Sequence, residues 1–387
     1  MIVAGIKRVV LGIIILPLIL TLSVLVFLDG KAVYRSALLI TELLPGISLP
    51  ILDILHDAPI HQALKLEVND KIIEADLYMP DNSQKVPAFI FFLGVSPSER
   101  GSDPRVESLV NALARLGVAV MVPWLETQEK EIVVKDDIES LVYLFEYLSD
   151  MEEIDDSRIG MGGICTGASM VALAASDVRI SQKVKFLTLF AGYYDAFDFM
   201  KAVTSERRFY KGSFQDWKPD SLTRKIVFKQ LVESVSNDHD RGNLNQLIRN
   251  GNIEIKIDIF NTDEAKVVYS LISNPHISDV DPLFQRLPSQ TVLYLEGISP
   301  SNFTQQLNAK VLIMHDRNDR LVPVEESKRF NDSLKSNGSI YYTEFSSFQN
   351  QIQVHVDKDS KKISSIDYLI EAWKLLRYLY EVMKQVS

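Results

Sequence analysis

PAFIFFLGV at 87–95 is apolar without a break, as expected of a strand covered on both faces. The same kind of run returns as VAVMVPW (118–124), RIGMGGI (158–164), VKFLTLFAG (184–192) and AKVLIMHD (309–316). Between these runs lie patterns of helical period. Val106, Leu109, Val110 and Leu113 share one face before Gly117, and Ile138, Leu141, Val142, Phe145 and Leu148 share another. The stretch TGASMVALAAS (166–176) is a helix of small residues. A chain that alternates in this way folds as a mostly parallel sheet with helices on both faces. LKLEV (64–68) and KIIEADLYM (71–79), joined by Asn69-Asp70, add an antiparallel hairpin ahead of it.

The alternation stops at residue 197. Residues 197–306 are mixed and charged, and they read as a helical cap insertion covering one edge of the sheet. It then resumes with a helix from Val324 to Ser336, strand SIYYTEFSS (339–347) and a last amphipathic helix. Ile366, Leu369, Ile370, Trp373, Leu376, Tyr380 and Met383 mark one face of that helix. The globular domain therefore covers 62–387.

The N-terminus is of another kind. VVLGIIILPLILTLSVLVFL (9–28) carries no charge. As a helix it reaches ~30 Å, the hydrocarbon thickness of a bilayer. Pro17 is tolerated in such a helix. The run exceeds the usual core of a signal peptide, and no small-residue cleavage motif follows it. Residues 1–35 are thus expected to form a transmembrane anchor. Lys7 and Arg8 before the span nearly balance Lys31 and Arg35 after it, so charge does not orient it. Residues 36–61 form an apolar linker, interrupted by Glu42, Pro45, Pro50 and Asp53. It should lie on the membrane surface or against the domain.

Composition removes several functions. The net charge of −10 argues against nucleic acid as a partner. A single cysteine forbids an intrachain disulfide or a multi-thiolate metal site, and the six histidines fall in no metal-binding pattern. His56 and His61 read as ordinary loop residues. No cofactor or metal is expected.

The one cysteine sits in GGICTGA (162–168), between a strand and a helix. A nucleophile on so sharp a turn needs tiny neighbours two positions to each side, and Gly163 and Gly167 stand there. The helix N-terminus should favour the thiolate of Cys165, and the Thr166 N–H becomes one oxyanion donor. Ser169 is a rival nucleophile, but Met170 and Val171 follow it where glycine is needed. A thiol requires a base, and the base an orienting acid. Asp319, beyond the strand in HDRNDRLVP (315–323), is the acid of choice, with Asp316 and Asp195 as rivals. His355, in the loop before the last helix, is the base.

These residues resemble the α/β-hydrolase superfamily over roughly 62–387. GICTGA is similar to the cysteine elbow of dienelactone hydrolases, and HDRNDRLVP with ESKRF (326–330) to their acid loop. The resemblance implies a Cys165–His355–Asp319 triad acting on esters, lactones or thioesters through an acyl-enzyme. It places the second oxyanion N–H at Gly94 or Val95, in LGVSPSERG (93–101). The usual HGG or HE-x-FG motif is missing there, and the membrane anchor and insertion are additions to that family. The elbow also resembles the G-I-C-x-G box of polyhydroxyalkanoate synthases, which implies acyl transfer instead. A catalytically silent binding module on the same fold is the third possibility. The expected partners are the membrane and a small acyl substrate of amphiphilic character.

Overall fold

The computed structural model describes residues 29–43, 51–68, 71–81, 84–95, 100–101, 103–250, 257–335, 338–346 and 365–387. Residues 9–28 and His355 lie outside them, as does the Asn69-Asp70 turn. Among the described residues no helix is long and apolar enough to cross a membrane.

Eight strands form the main sheet: β1 (Ile60–Val68), β2 (Lys71–Met79), β3 (Val86–Phe92), β4 (Ala119–Trp124), β5 (Ile154–Ile164), β6 (Phe186–Phe190), β9 (Lys310–Asp316) and β10 (Ile340–Phe345). Their order is β1-β2-β4-β3-β5-β6-β9-β10. Only β2 runs against the others, pairing antiparallel with both β1 and β4. Every residue of β3 is buried, as its unbroken apolar run requires. This is the mostly parallel sheet with an N-terminal antiparallel hairpin that the sequence predicts.

Helices α2 (Pro104–Arg115), α3 (Asp137–Asp150) and α4 (Thr166–Ala175) connect the central strands. The two faces of the sheet carry separate cores. On one, Leu141, Phe145 and Leu148 of α3 are fully buried with Met161 and the whole of α4. Each such side chain contributes about 1.5–3 kcal/mol by leaving water. On the other, α1 (Gly30–Leu43) and the last helix, Ser365–Met383, close over Phe89, Phe186 and Phe345. The Arg35 guanidinium, buried in this layer, donates to the Val386 carbonyl (2.7 Å). The apolar stretch from 37 thus begins inside a helix packed on the domain, with Leu39 and Leu52 in the core.

The last helix buries only part of the stripe its sequence suggests. Ile366, Leu369, Ile370 and Trp373 are exposed, Leu376 and Tyr380 are half-buried and Met383 is buried, while Leu375, Tyr378 and Leu379 enter the core beside it. His61 is likewise not a loop residue: it lies in β1, stacked on Tyr78 and 3.1 Å from Asp76.

The segment between β6 and β9 opens with α5 (Ala196–Ser205) and a small hairpin, β7 (Arg207–Tyr210) and β8 (Ser213–Asp216). Five helices follow: α6 (Ser221–Glu233), α7 (Asp238–Asn250), α8 (Asp263–Ile272), α9 (Ile277–Phe284) and α10 (Ser289–Gly297). It joins two neighbouring inner strands and docks on loops that follow β9 and β4, not along a sheet edge. The Trp217 indole N–H donates to the Asp319 carbonyl (2.8 Å), and the Gln230 side chain accepts from Val133 N–H (2.8 Å).

Candidate active site

β5 ends at Ile164 and α4 begins at Thr166, so Cys165 alone makes the turn. Its backbone sits at φ 54°, ψ −125°, a region that side chains rarely occupy. Two hydrogen bonds hold it there. Cys165 N–H donates to the Phe190 carbonyl (2.8 Å), and the Cys165 carbonyl accepts from Ala168 N–H (3.1 Å). The flanking glycines are required by contact. A Cβ on Gly163 would stand 2.5 Å from the Gly167 carbonyl carbon, and one on Gly167 would stand 2.3 Å from the Phe92 oxygen. Both obstacles are backbone and have nowhere to go.

The loop after β3 presses on the same turn. Gly94 has φ +68°, and a Cβ there would meet the Gly167 nitrogen at 2.1 Å and Thr166 Oγ1 at 2.3 Å. Val95 N–H donates to Thr166 Oγ1 at 2.8 Å, with Thr166 itself 4% exposed. Of the two expected second oxyanion donors, Val95 therefore has its N–H already engaged by the Thr166 hydroxyl. No spacing rule marks that hydroxyl, and its one sign in the sequence is a threonine directly after Cys165.

The half-buried Cys165 thiol does not gain the acidity expected of it. Burial first, and then the negative charge of Asp319, push its pKa up to about 12. A hydrogen bond from the Thr166 N–H pulls the other way and is outweighed. The helix end alone does not make a thiolate here; a proton acceptor is needed.

Asp319 is 1% exposed and lies in the loop after β9. Its Oδ1 accepts from the Leu321 and Val322 N–H groups (2.6 and 3.1 Å), which fixes the carboxylate. Its Oδ2 is buried and has no hydrogen-bond donor among the described residues. His315 Nε2 stands 3.5 Å from Oδ2. That imidazole is committed elsewhere, with Nε2 against the Val322 carbonyl (2.9 Å) and Nδ1 against Ser327 Oγ (2.7 Å). His315 is thus a buried support for the acid loop, invisible in sequence as one polar residue within an apolar strand. Oδ2 remains as an acceptor awaiting a donor.

The rivals have structural duties. Asp316 Oδ1 accepts from Asn318 N–H (2.8 Å) and forms the turn. Asp195 caps α5, accepting from Phe197 and Asp198 N–H, and also accepts from Ser301 Oγ. Ser169 Oγ donates to the Tyr193 carbonyl (2.8 Å) inside α4's packing. No group of three or more histidine, cysteine or carboxylate side chains able to hold a metal occurs among the described residues. Cys165 and Asp319 are close enough to feel each other's charge. His355, the expected base, falls outside the described residues.

No family model and no curated protein matches the chain. Solved structures do. An acylaminoacyl peptidase of Pyrococcus horikoshii is 13% identical, with 86% of this chain and 42% of that one covered and a TM-score of 0.49. Est1E from Butyrivibrio proteoclasticus is 14% identical, with 84% and 98% covered and a TM-score of 0.46. A 2,6-dihydroxy-pseudo-oxynicotine hydrolase is 12% identical, with 84% and 68% covered and a TM-score of 0.43. The chain spans about two-fifths of the length of the peptidase.

Proposed function

We propose that the chain is an acyl hydrolase of the α/β-hydrolase type, acting on esters, lactones or thioesters through a Cys165–His355–Asp319 triad. The observation that carries this reading is the backbone of Cys165, held at positive φ on a strand-to-helix turn by glycine contacts on both sides. Strain of this kind costs about 1–3 kcal/mol and accumulates where a reactive group must be presented. The buried Asp319 Oδ2, without a hydrogen-bond donor among the described residues, is what an orienting acid needs to receive the N–H of a histidine.

In this mechanism His355, oriented by Asp319, takes the proton from the Cys165 thiol as sulfur attacks the acyl carbon. The carbonyl π electrons move to oxygen, and the Thr166 N–H stabilises the oxyanion. Collapse expels the alcohol or thiol, which leaves with the proton from His355. Water then gives a proton to His355 and attacks the thioester, and sulfur departs to recover the thiol. The acidity of Cys165 explains why the base is essential: the isolated thiol stays protonated until pH approaches about 12. The uncharged segment 9–28 would hold the domain at a membrane, which suits an amphiphilic acyl substrate.

The test is p-nitrophenyl ester and thioester turnover by the full-length protein against its Cys165→Ala variant. Turnover that disappears with the thiol supports the reading, and equal turnover in both removes it. Supplying an alcohol or thiol acceptor and measuring the transferred product separates hydrolysis from acyl transfer.

A further inference from the structure

The hydroxyl of Thr166 occupies an unusual position. Its oxygen accepts the Val95 N–H at 2.8 Å, in the gap between the loop after β3 and the N-terminus of α4. Its own hydrogen has no acceptor among the described residues, although the side chain is 4% exposed. A buried hydroxyl hydrogen without an acceptor is costly. Its neighbours leave little freedom to escape: Gly94, on one side, lacks the Cβ that would collide with Oγ1 at 2.3 Å. The backbone N–H of the same residue opens α4 directly after Cys165. Thr166 thus carries two donors next to Cys165, its hydroxyl and its N–H, while the N–H of Val95 is spent on the first of them.

We propose that the Thr166 side-chain hydroxyl is itself an oxyanion donor, polarised by Val95 N–H, which acts through it and not on the substrate directly. This rests on the reading of Cys165 as nucleophile. A hydroxyl that accepts a hydrogen bond becomes a better donor. The arrangement replaces a backbone donor by a side chain that can be changed, so the oxyanion site of this chain is open to mutation.

The experiment measures acylation of Cys165 by p-nitrophenyl acetate in single-turnover mode on the full chain, read by mass spectrometry. Alkylation by iodoacetamide is followed in parallel, because it needs the thiolate but forms no oxyanion. Thr166→Val is expected to slow acylation roughly 10²–10³-fold, the usual effect of losing one such donor, while alkylation stays within about twofold. Thr166→Ser should acylate within about threefold of the parent. If Thr166→Val does not fold, Thr166→Ala replaces it, with a loss of about tenfold or more expected. Acylation by Thr166→Val at the parent rate would reduce the hydroxyl to packing. Acylation by Thr166→Ala faster than the parent would make it a plug in the oxyanion site. Equal losses in acylation and alkylation would place its effect on the thiol. Each of those three overturns the inference alone. A parent protein that is not acylated at Cys165 overturns both the inference and the proposed function.

Discussion

The elbow around Cys165 and the loop around Asp319 hold their key residues by opposite means. At the elbow the constraint is steric: Gly163, Gly167 and Gly94 let three backbone segments touch, and a single methyl would part them. At the acid loop the constraint is polar. Two N–H groups grip one oxygen of Asp319, His315 is pinned between Ser327 and Val322, and Trp217 fastens the loop to the insertion. Contact of the first kind tolerates no added volume but is indifferent to charge. Contact of the second kind tolerates isosteric change and fails when an acceptor is lost.

The sharpest way to break the comparison is therefore to exchange the two kinds of damage. Gly167→Ala should cost about 3 kcal/mol and abolish Cys165-dependent acylation, since its Cβ meets the Phe92 oxygen at 2.3 Å. Denaturant unfolding measures the first effect and mass spectrometry the second. Unchanged stability would mean that the elbow is not sterically closed. At the acid loop, Asp319→Ala should cost about 1–3 kcal/mol by orphaning two buried N–H groups. Asp319→Asn keeps an acceptor at Oδ1, so it should unfold nearly with the parent yet lose turnover roughly 10²–10⁴-fold. If the Asn variant were as unstable as the Ala variant, hydrogen bonding to Oδ1 would not be what holds the loop.

A smaller effect tests the strain at Cys165. Cys165→Gly should be more stable than Cys165→Ala by about 1 kcal/mol, because only glycine occupies this backbone region at little cost. Equal unfolding midpoints would show that the turn stores no strain. The last prediction links the two regions through charge. In a His355→Ala background, alkylation of Cys165 should rise only at high pH, because burial and Asp319 both disfavour the anion. Adding Asp319→Asn removes the negative charge and should move that rise to lower pH. A shift to higher pH, or none, would deny that the two residues face one site.

The same contrast explains what could be read from the sequence. Glycines two positions to each side of Cys165 are a rare pattern with one steric meaning, and the elbow follows from it. Asp319 was one of several aspartates beyond strand ends, and only its hydrogen bonds distinguish it from Asp316 and Asp195. Thr166 was counted for its N–H alone, because no spacing rule announces that a hydroxyl will meet Val95. The last helix shows another limit. It has apolar residues on two sides, so periodicity offers Ile366, Leu369, Ile370 and Trp373 together with Met383, while packing against α1, β9 and β10 buries Met383 with Leu375, Tyr378 and Leu379. The hairpin β7–β8 lies in a charged stretch whose one turn cue was Lys211-Gly212, both at positive φ.

The layer that joins α1 to the last helix has a consequence for how the molecule is made. α1 is the first described helix of the chain, yet its main partner is the last, and Arg35 reaches the carbonyl of Val386 across a separation of 351 residues. A ribosome delivers α1 long before the helix that covers it. Leu39 and the aliphatic stem of Arg35 lack this cover until the last helix is made, so the sheet's second face closes late. Loss of the turn that carries Val386 would therefore uncover Arg35, a residue far from it along the chain.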